Sequence, residues 1–138
     1  MCCTIPRQGI RRLWQVEETA EITDLCIIYM DDRPVILYVN YDRSALGLVS
    51  MDGQSLSVSV DSPGMKEPYH TASSRDGRRL VVAGWEDVDK GPYTWEVYSV
   101  LNDHISKVKT FPLSDRPWSV CWTGGDDVIM LLGKVTYL

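Results

Sequence analysis

Residues 74–86 read SRDGRRLVVAGWE: a strand end, a tight Asp76-Gly77 turn, and a buried strand over 80–84. Asp hydrogen-bonds its own backbone and Gly supplies positive φ, so the pair marks a turn. Leu80-Val81-Val82-Ala83 is continuously apolar, as suits a strand covered on both faces. The same phrase occurs upstream over 29–41 as YMDDRPVILYVNY, and downstream over 122–134 as WTGGDDVIMLLGK. The second strands begin at Val35, Leu80 and Val128, 45 and 48 residues apart. Self-similarity at this period marks a blade or solenoid repeat.

Working outward, a first strand precedes each turn, at 25–30, 70–74 and 118–122, with the same two offsets. Third strands follow at 46–50 and 94–100. In TWEVYSV, Trp95, Val97 and Ser99 share one face, and Glu96, Tyr98 and Val100 the other. Asp52-Gly53 and Asn102-Asp103 then turn the chain into fourth strands at 56–60 and 105–110. Proline-bearing connections, 61–69 and 110–117, close the units. The chain thus divides into units of about 25–69, 70–117 and 118–138, within one domain over 1–138. A leading strand at 10–16 and a polar connection at 17–24 come first. No long helical pattern appears, and short turns join strand to strand. The expected fold is all-β, built of four-stranded antiparallel units.

Such units resemble the blades of a β-propeller, the NHL variety more closely than the WD variety. Pro68, Asp76-Gly77, Leu80-Val81-Val82-Ala83 and Trp95-Glu96-Val97-Tyr98 follow the order of an NHL blade, and Pro117 and Val120 echo it. Gly84 stands where many NHL blades have Asp. The Gly-His and Trp-Asp dipeptides of WD repeats are missing. The resemblance implies a partial propeller, about two full blades plus parts of two others. It also implies first strands lining a central channel. NHL blades often end tripartite-motif ubiquitin ligases, but no Cys/His-rich stretch here could form a RING.

The bulk numbers fit a soluble domain of 138 residues, with 44% apolar and 24% charged residues. A net charge of −5 gives a polyanion no overall attraction, so nucleic acid is not the expected partner. The longest apolar run, 25–30, is too short to span a membrane as a helix. The start MCCTIPRQGIRRLW lacks the apolar core of a signal peptide, and a cytoplasmic location is expected. Cys2 and Cys3 lack the Gly of a myristoylation signal. Cys26 and Cys121 lie in apolar strand patterns and are expected to be buried thiols.

The candidate chemistry is sparse. Residues 87–95, DVDKGPYTW, resemble the Asp box of sialidase propellers, but Asp87 replaces its Ser and Thr94-Trp95 arrive one residue late. Read as a calcium loop, the same stretch puts Tyr98 where a bidentate Glu is needed. Asp31, Asp32, Asp126 and Asp127 fall in equivalent turns of separate units, where solvation accounts for them. No Cys or His pair has zinc-ligand spacing. No nucleophile elbow or phosphate loop is present. No metal or cofactor is expected.

Two functions remain in view. One is a non-catalytic interaction module. The other is part of a propeller hydrolase or lactonase, with its site at the channel mouth. The second needs carboxylates, Asn or His at the channel ends of the first strands, where this chain has Leu25, His70 and Trp118. The first is preferred. Its binding surface would be formed by 42–44, 61–69, 87–93 and 110–117, connections that leave a propeller on one face. They carry Arg43, Lys66, Tyr69, Lys90, Tyr93 and Arg116, with His70 and Trp118 at the channel rim. Tyr, Trp and Arg are the side chains enriched at hot spots, so a protein or peptide partner is expected. Open blade edges at both ends are expected to promote self-association.

Overall fold

The computed structural model describes Gln15 and residues 21–133. Cys2, Cys3, the remainder of the strand expected at 10–16, residues 17–20 of the expected connection, and residues 134–138 lie outside the described residues; the connection expected at 17–24 is corrected at its end, where a strand already begins at Ile22. The protein is all-β: among the described residues there are ten strands and no helix.

Strands β1 (Ile22–Met30), β2 (Arg33–Asn40) and β3 (Ala45–Ser50) form the first sheet. A second sheet has the order β4-β8-β7-β6-β5, from β4 (Ser59–Val60), β5 (Glu67–Ser73), β6 (Arg79–Trp85), β7 (Tyr93–Val100) and β8 (His104–Leu113). Strands β9 (Pro117–Trp122) and β10 (Val128–Leu132) pair as a third. Every pairing between strands is antiparallel except β4 with β8. The sheets are curled and close only half of a barrel. Strand β1 packs beside β5, and β5 beside β9, so the first strand of each unit adjoins that of the next.

Local chemistry sets the turns. The first hairpin is the tightest: Met30 pairs with Arg33 across Asp31 and Asp32, at φ 52° and 58°. Positive φ at both central residues is the two-residue turn that matches strand twist, and Asp tolerates it. Arg33 and Pro34, expected in the turn, therefore start β2. The second hairpin is longer. Ser74 N–H donates to Arg79 O at 2.8 Å, and Gly77 turns at φ 69°. A Cβ on Gly77 would come within 2.9 Å of the Tyr29 nitrogen, whose N–H donates to the Gly77 carbonyl at 2.9 Å. Glycine is required there by conformation and by this close approach.

The first two hairpins share one register at the 45-residue offset, Ile28 pairing with Val35 as Ser73 pairs with Leu80, yet aligned residues face different ways. Ile28, Val35, Leu37 and Leu48 of the first sheet pack against Leu80, Val82, Tyr98 and Ile105 of the second. Val35 and Leu80, aligned by the 45-residue offset, thus meet across the interface instead of pointing the same way around the array. The 48-residue offset keeps its sense, because β9 and β10 turn Trp122 and its pair Val128 toward Arg79.

The fourth strand of the first unit corrects the expected pattern. Ser55 bridges Val49, and Leu56 N–H donates to Leu48 O, so the segment starts on its own sheet. It then crosses to the second sheet, where β4 pairs parallel with β8 at Ser59–His104 and Val60–Ile105. The alternation of LSVSV explains the crossing. Leu56, Val58 and Val60 pack on the core between the two sheets, which draws the strand over the seam. The first sheet therefore has three strands and the second five, not four each.

Candidate functional site

The connections 42–44, 61–66, 86–92 and 114–116 leave the strands at one end of the sheets, and contacts tie them together there. Ser44 Oγ donates to the Lys66 carbonyl. Lys66 N–H donates to Glu86 Oε1 at 3.1 Å. The other end carries the turns at 31–32, 75–78, 101–103 and 123–127. Arg78 pairs there with Asp32 at 2.8 Å, and Arg79 pairs with Asp126. Asp32 and Asp126 thus each meet an arginine and not each other.

At the first end an aromatic cluster forms around Trp85, the last residue of β6. Trp85 is buried, and its Nε1–H donates to Glu67 Oε2 at 2.7 Å. Tyr69 stacks on it with centroids 5.2 Å apart and an interplanar angle of 27°. Tyr41 meets Tyr69 edge-on at 5.7 Å, and Tyr93 meets Trp85 edge-on at 6.4 Å. Such offset and edge geometries satisfy the ring quadrupoles. Arg116 lies between two indoles, its Cζ 5.0 Å from the Trp85 centroid and 4.2 Å from that of Trp118. Trp118 is held in turn by Nε1–H donation to Gly133 O at 2.5 Å.

His70 completes the rim. Its ring lies 4.8 Å from Tyr69, and its Nε2 lies 3.1 Å from Pro117 O. A carbonyl only accepts, so Nε2 carries the proton. Burial, aided by the Arg116 charge, pushes the His70 pKa below its usual 6.5, against the pull of Asp24 and the Pro117 carbonyl. The unfolded chain therefore binds this proton first. Stability is expected to fall as pH drops through the unfolded value near 6.5, and to stop falling below the folded value. Urea titrations at pH 7.5 and 5.5 should show a smaller loss on acidification in His70→Gln; an equal loss would assign it to other groups.

Of the residues singled out in the sequence, Tyr69, His70, Tyr93, Arg116 and Trp118 are brought together around Trp85. Lys66 is exposed beside them, joined through its main chain. Arg43 and Lys90 are exposed at loop tips, outside the ring cluster. Lys90 and Asp89 donate their backbone N–H groups to Asp87 Oδ1, both at 2.9 Å, which holds the Asp87 carboxyl below the usual range. Leu25, at the first-strand position matched to His70, is 59% exposed on the outward face of β1. Among the described residues no three His, Cys, Asp or Glu gather as metal ligands. No helix among them is long and apolar enough to cross a membrane.

The sequence reading missed Trp85, Glu67 and Tyr41. A signal existed: VILYVNY closes on Tyr41, and LVVAGWE carries Trp85 one residue before its end, at the same strand end. It also missed Glu96, a buried carboxylate on β7. Glu96 accepts from Gly64 N–H at 3.0 Å, Tyr98 Oη at 2.9 Å and Thr110 Oγ1 at 3.0 Å, and pairs with Lys107 Nζ at 3.1 Å. Burial, then the Glu96 charge, drives the Tyr98 phenol pKa far up, so it stays a donor. Cys26 is half-buried with its thiol pKa raised by burial, whereas Cys121, expected inside, is exposed. It lies on the face of β9 turned away from the second sheet. Compared with known proteins, the chain matches no family model and no curated protein.

Proposed function

We propose that the chain is a non-catalytic, propeller-type interaction module that docks a protein or peptide on the end of the sheets carrying Trp85. The observation that carries this reading is the gathering onto one rim of Tyr69 and His70 from β5, Tyr93 from the start of β7, Arg116 from the connection before β9, and Trp118 from β9. Aromatic and arginine side chains so clustered supply the anchors of protein interfaces. The propeller part is supported by the adjoining first strands and by hairpins repeating along the chain. A cytoplasmic setting belongs to the same reading. The test is a pull-down from cell extract with Tyr93→Ala, Arg116→Ala and Arg78→Ala, the last at the opposite end. Loss of about tenfold or more in recovered partner is expected for the first two and little change for the third. Loss confined to Arg78→Ala would reverse the docking end.

The reading includes self-association through the terminal sheets. Leu25 and Ile27 on β1 are 59% and 45% exposed, and Ile129 and Leu131 on β10 are both 58% exposed. Contiguous apolar faces of this kind seek a cover. Sedimentation velocity should show the weight-average mass rising with concentration, and Ile27→Lys with Leu131→Lys should suppress the rise. A concentration-independent monomer before substitution would remove self-association from the proposal.

A further inference from the structure

We infer that Arg116 is a receptor for a peptide carboxylate, an Asp or Glu side chain of the docked partner. The inference rests on the docking face proposed above and names the chemistry read there. Arginines on protein surfaces commonly rest against a carboxylate of their own chain, as Arg78 rests on Asp32 and Arg79 on Asp126. Arg116 does not. Its guanidinium is held by two indole faces, and no acceptor reaches it among the described residues. Its Nε is buried with no hydrogen-bond partner. Stacking fixes the plane of the fork without using its donors, so the remaining N–H groups are oriented before any ligand arrives. A planar, pre-oriented fork suits bidentate binding of carboxylate, and little side-chain entropy is left to lose.

The surroundings select a single negative charge. Asp24 acts on neighbouring His70, and Glu67 sits under Trp85. With these carboxylates on the rim and a net charge of −5, one guanidinium balances a carboxylate but not a dianionic phosphate. The half-exposed rings of Tyr69 and Tyr93 supply apolar contact for residues flanking the acid.

The experiment is selection of a displayed library of random dodecapeptides on the full chain, followed by affinity measurement with synthetic peptides. Selected peptides are expected to be enriched in Asp or Glu at one position. Changing that residue to Gln in the peptide, with the protein unaltered, should weaken binding roughly 10- to 100-fold, the range for a charge-assisted hydrogen-bonded pair. Arg116→Lys, which keeps the charge but loses the stacked fork, should weaken the acidic peptide and leave the Gln peptide unchanged. Peptides that need Tyr69 and Tyr93 but show no acidic preference would overturn the carboxylate inference and leave the docking face standing. Peptides indifferent to Tyr69, Tyr93 and Arg116 would overturn both. Tighter binding of a phosphoserine peptide than of the Glu peptide would overturn the choice of a single charge.

Discussion

Glu96→Ala is expected to destabilise the protein by about 3–5 kcal/mol, the usual consequence of breaking a buried ion pair by removing one partner. Glu96 is 1% exposed and collects three hydrogen-bond donors besides Lys107. Its removal strands the Tyr98 hydroxyl in the core between the first two sheets. It also frees the 61–66 connection, which is fastened by Gly64 N–H. A Cβ on Gly64 would come within 2.8 Å of Glu96 Oε2, so that fastening depends on a bare backbone. Glu96→Gln keeps the shape and an acceptor and should cost less. Lys107→Met should cost less again, because the Lys107 side chain is 25% exposed and water can replace part of its role. Guanidinium denaturation would rank the three. Equal losses for Glu96→Gln and Lys107→Met would mean that the ion pair alone, without the other donors, carries the effect.

Trp85→Ala should match it in size, at about 3–5 kcal/mol, as expected for a large buried aromatic. The indole closes the end of β6, supports Tyr69 and Arg116 on its faces and meets Tyr93 at its edge. Trp85→Phe keeps most of the buried area and loses the Nε1–H donation to Glu67, for about 1–2 kcal/mol. The two variants separate stability from recognition. Near-ultraviolet circular dichroism should collapse in Trp85→Ala and be largely kept in Trp85→Phe. A Trp85→Ala protein with unchanged stability would mean that the rim is a surface decoration, not a packed support for Arg116.

The strand skeleton was legible because its signals are local. Asp76-Gly77 and Asp52-Gly53 turn where such pairs turn, and LVVAGW is buried from Leu80 to Trp85 as a continuous apolar run should be. Facing was less legible. Ile28–Val35 and Ser73–Leu80 pair at equivalent positions, so the hairpins are in the same register, and which face is covered is set by how the sheets pack and not by anything local to a hairpin. The course of residues 56–60 was invisible for a related reason. Alternation says that one face is apolar, but not which sheet lies beneath it. In the candidate site, exposed Tyr and Arg were named from loop composition alone. Trp85 escaped because it ends an apolar run and reads as core, which it also is. Glu96 escaped because one acid in an alternating strand reads as its solvent side. Only the donors from Gly64, Tyr98, Thr110 and Lys107 reveal the reverse.

The crossing of β4 makes the first two sheets mutually dependent in folding. Asp61, just after β4, receives the Lys107 N–H at 2.7 Å and donates its own N–H to Ile105 O at 2.9 Å. A segment that starts by bonding β3 thus finishes as the edge of the neighbouring sheet. The first sheet cannot melt away and leave the second intact, because its exit strand would be pulled from β8 and bare an unpaired edge. In a linear array of independent units, stability accumulates repeat by repeat and unfolding can begin at either end. Here the seam between the first two sheets converts neighbours into one cooperative block. Hydrogen exchange should report a shared opening free energy for the amides of β2 and β6, with fraying confined to β9 and β10.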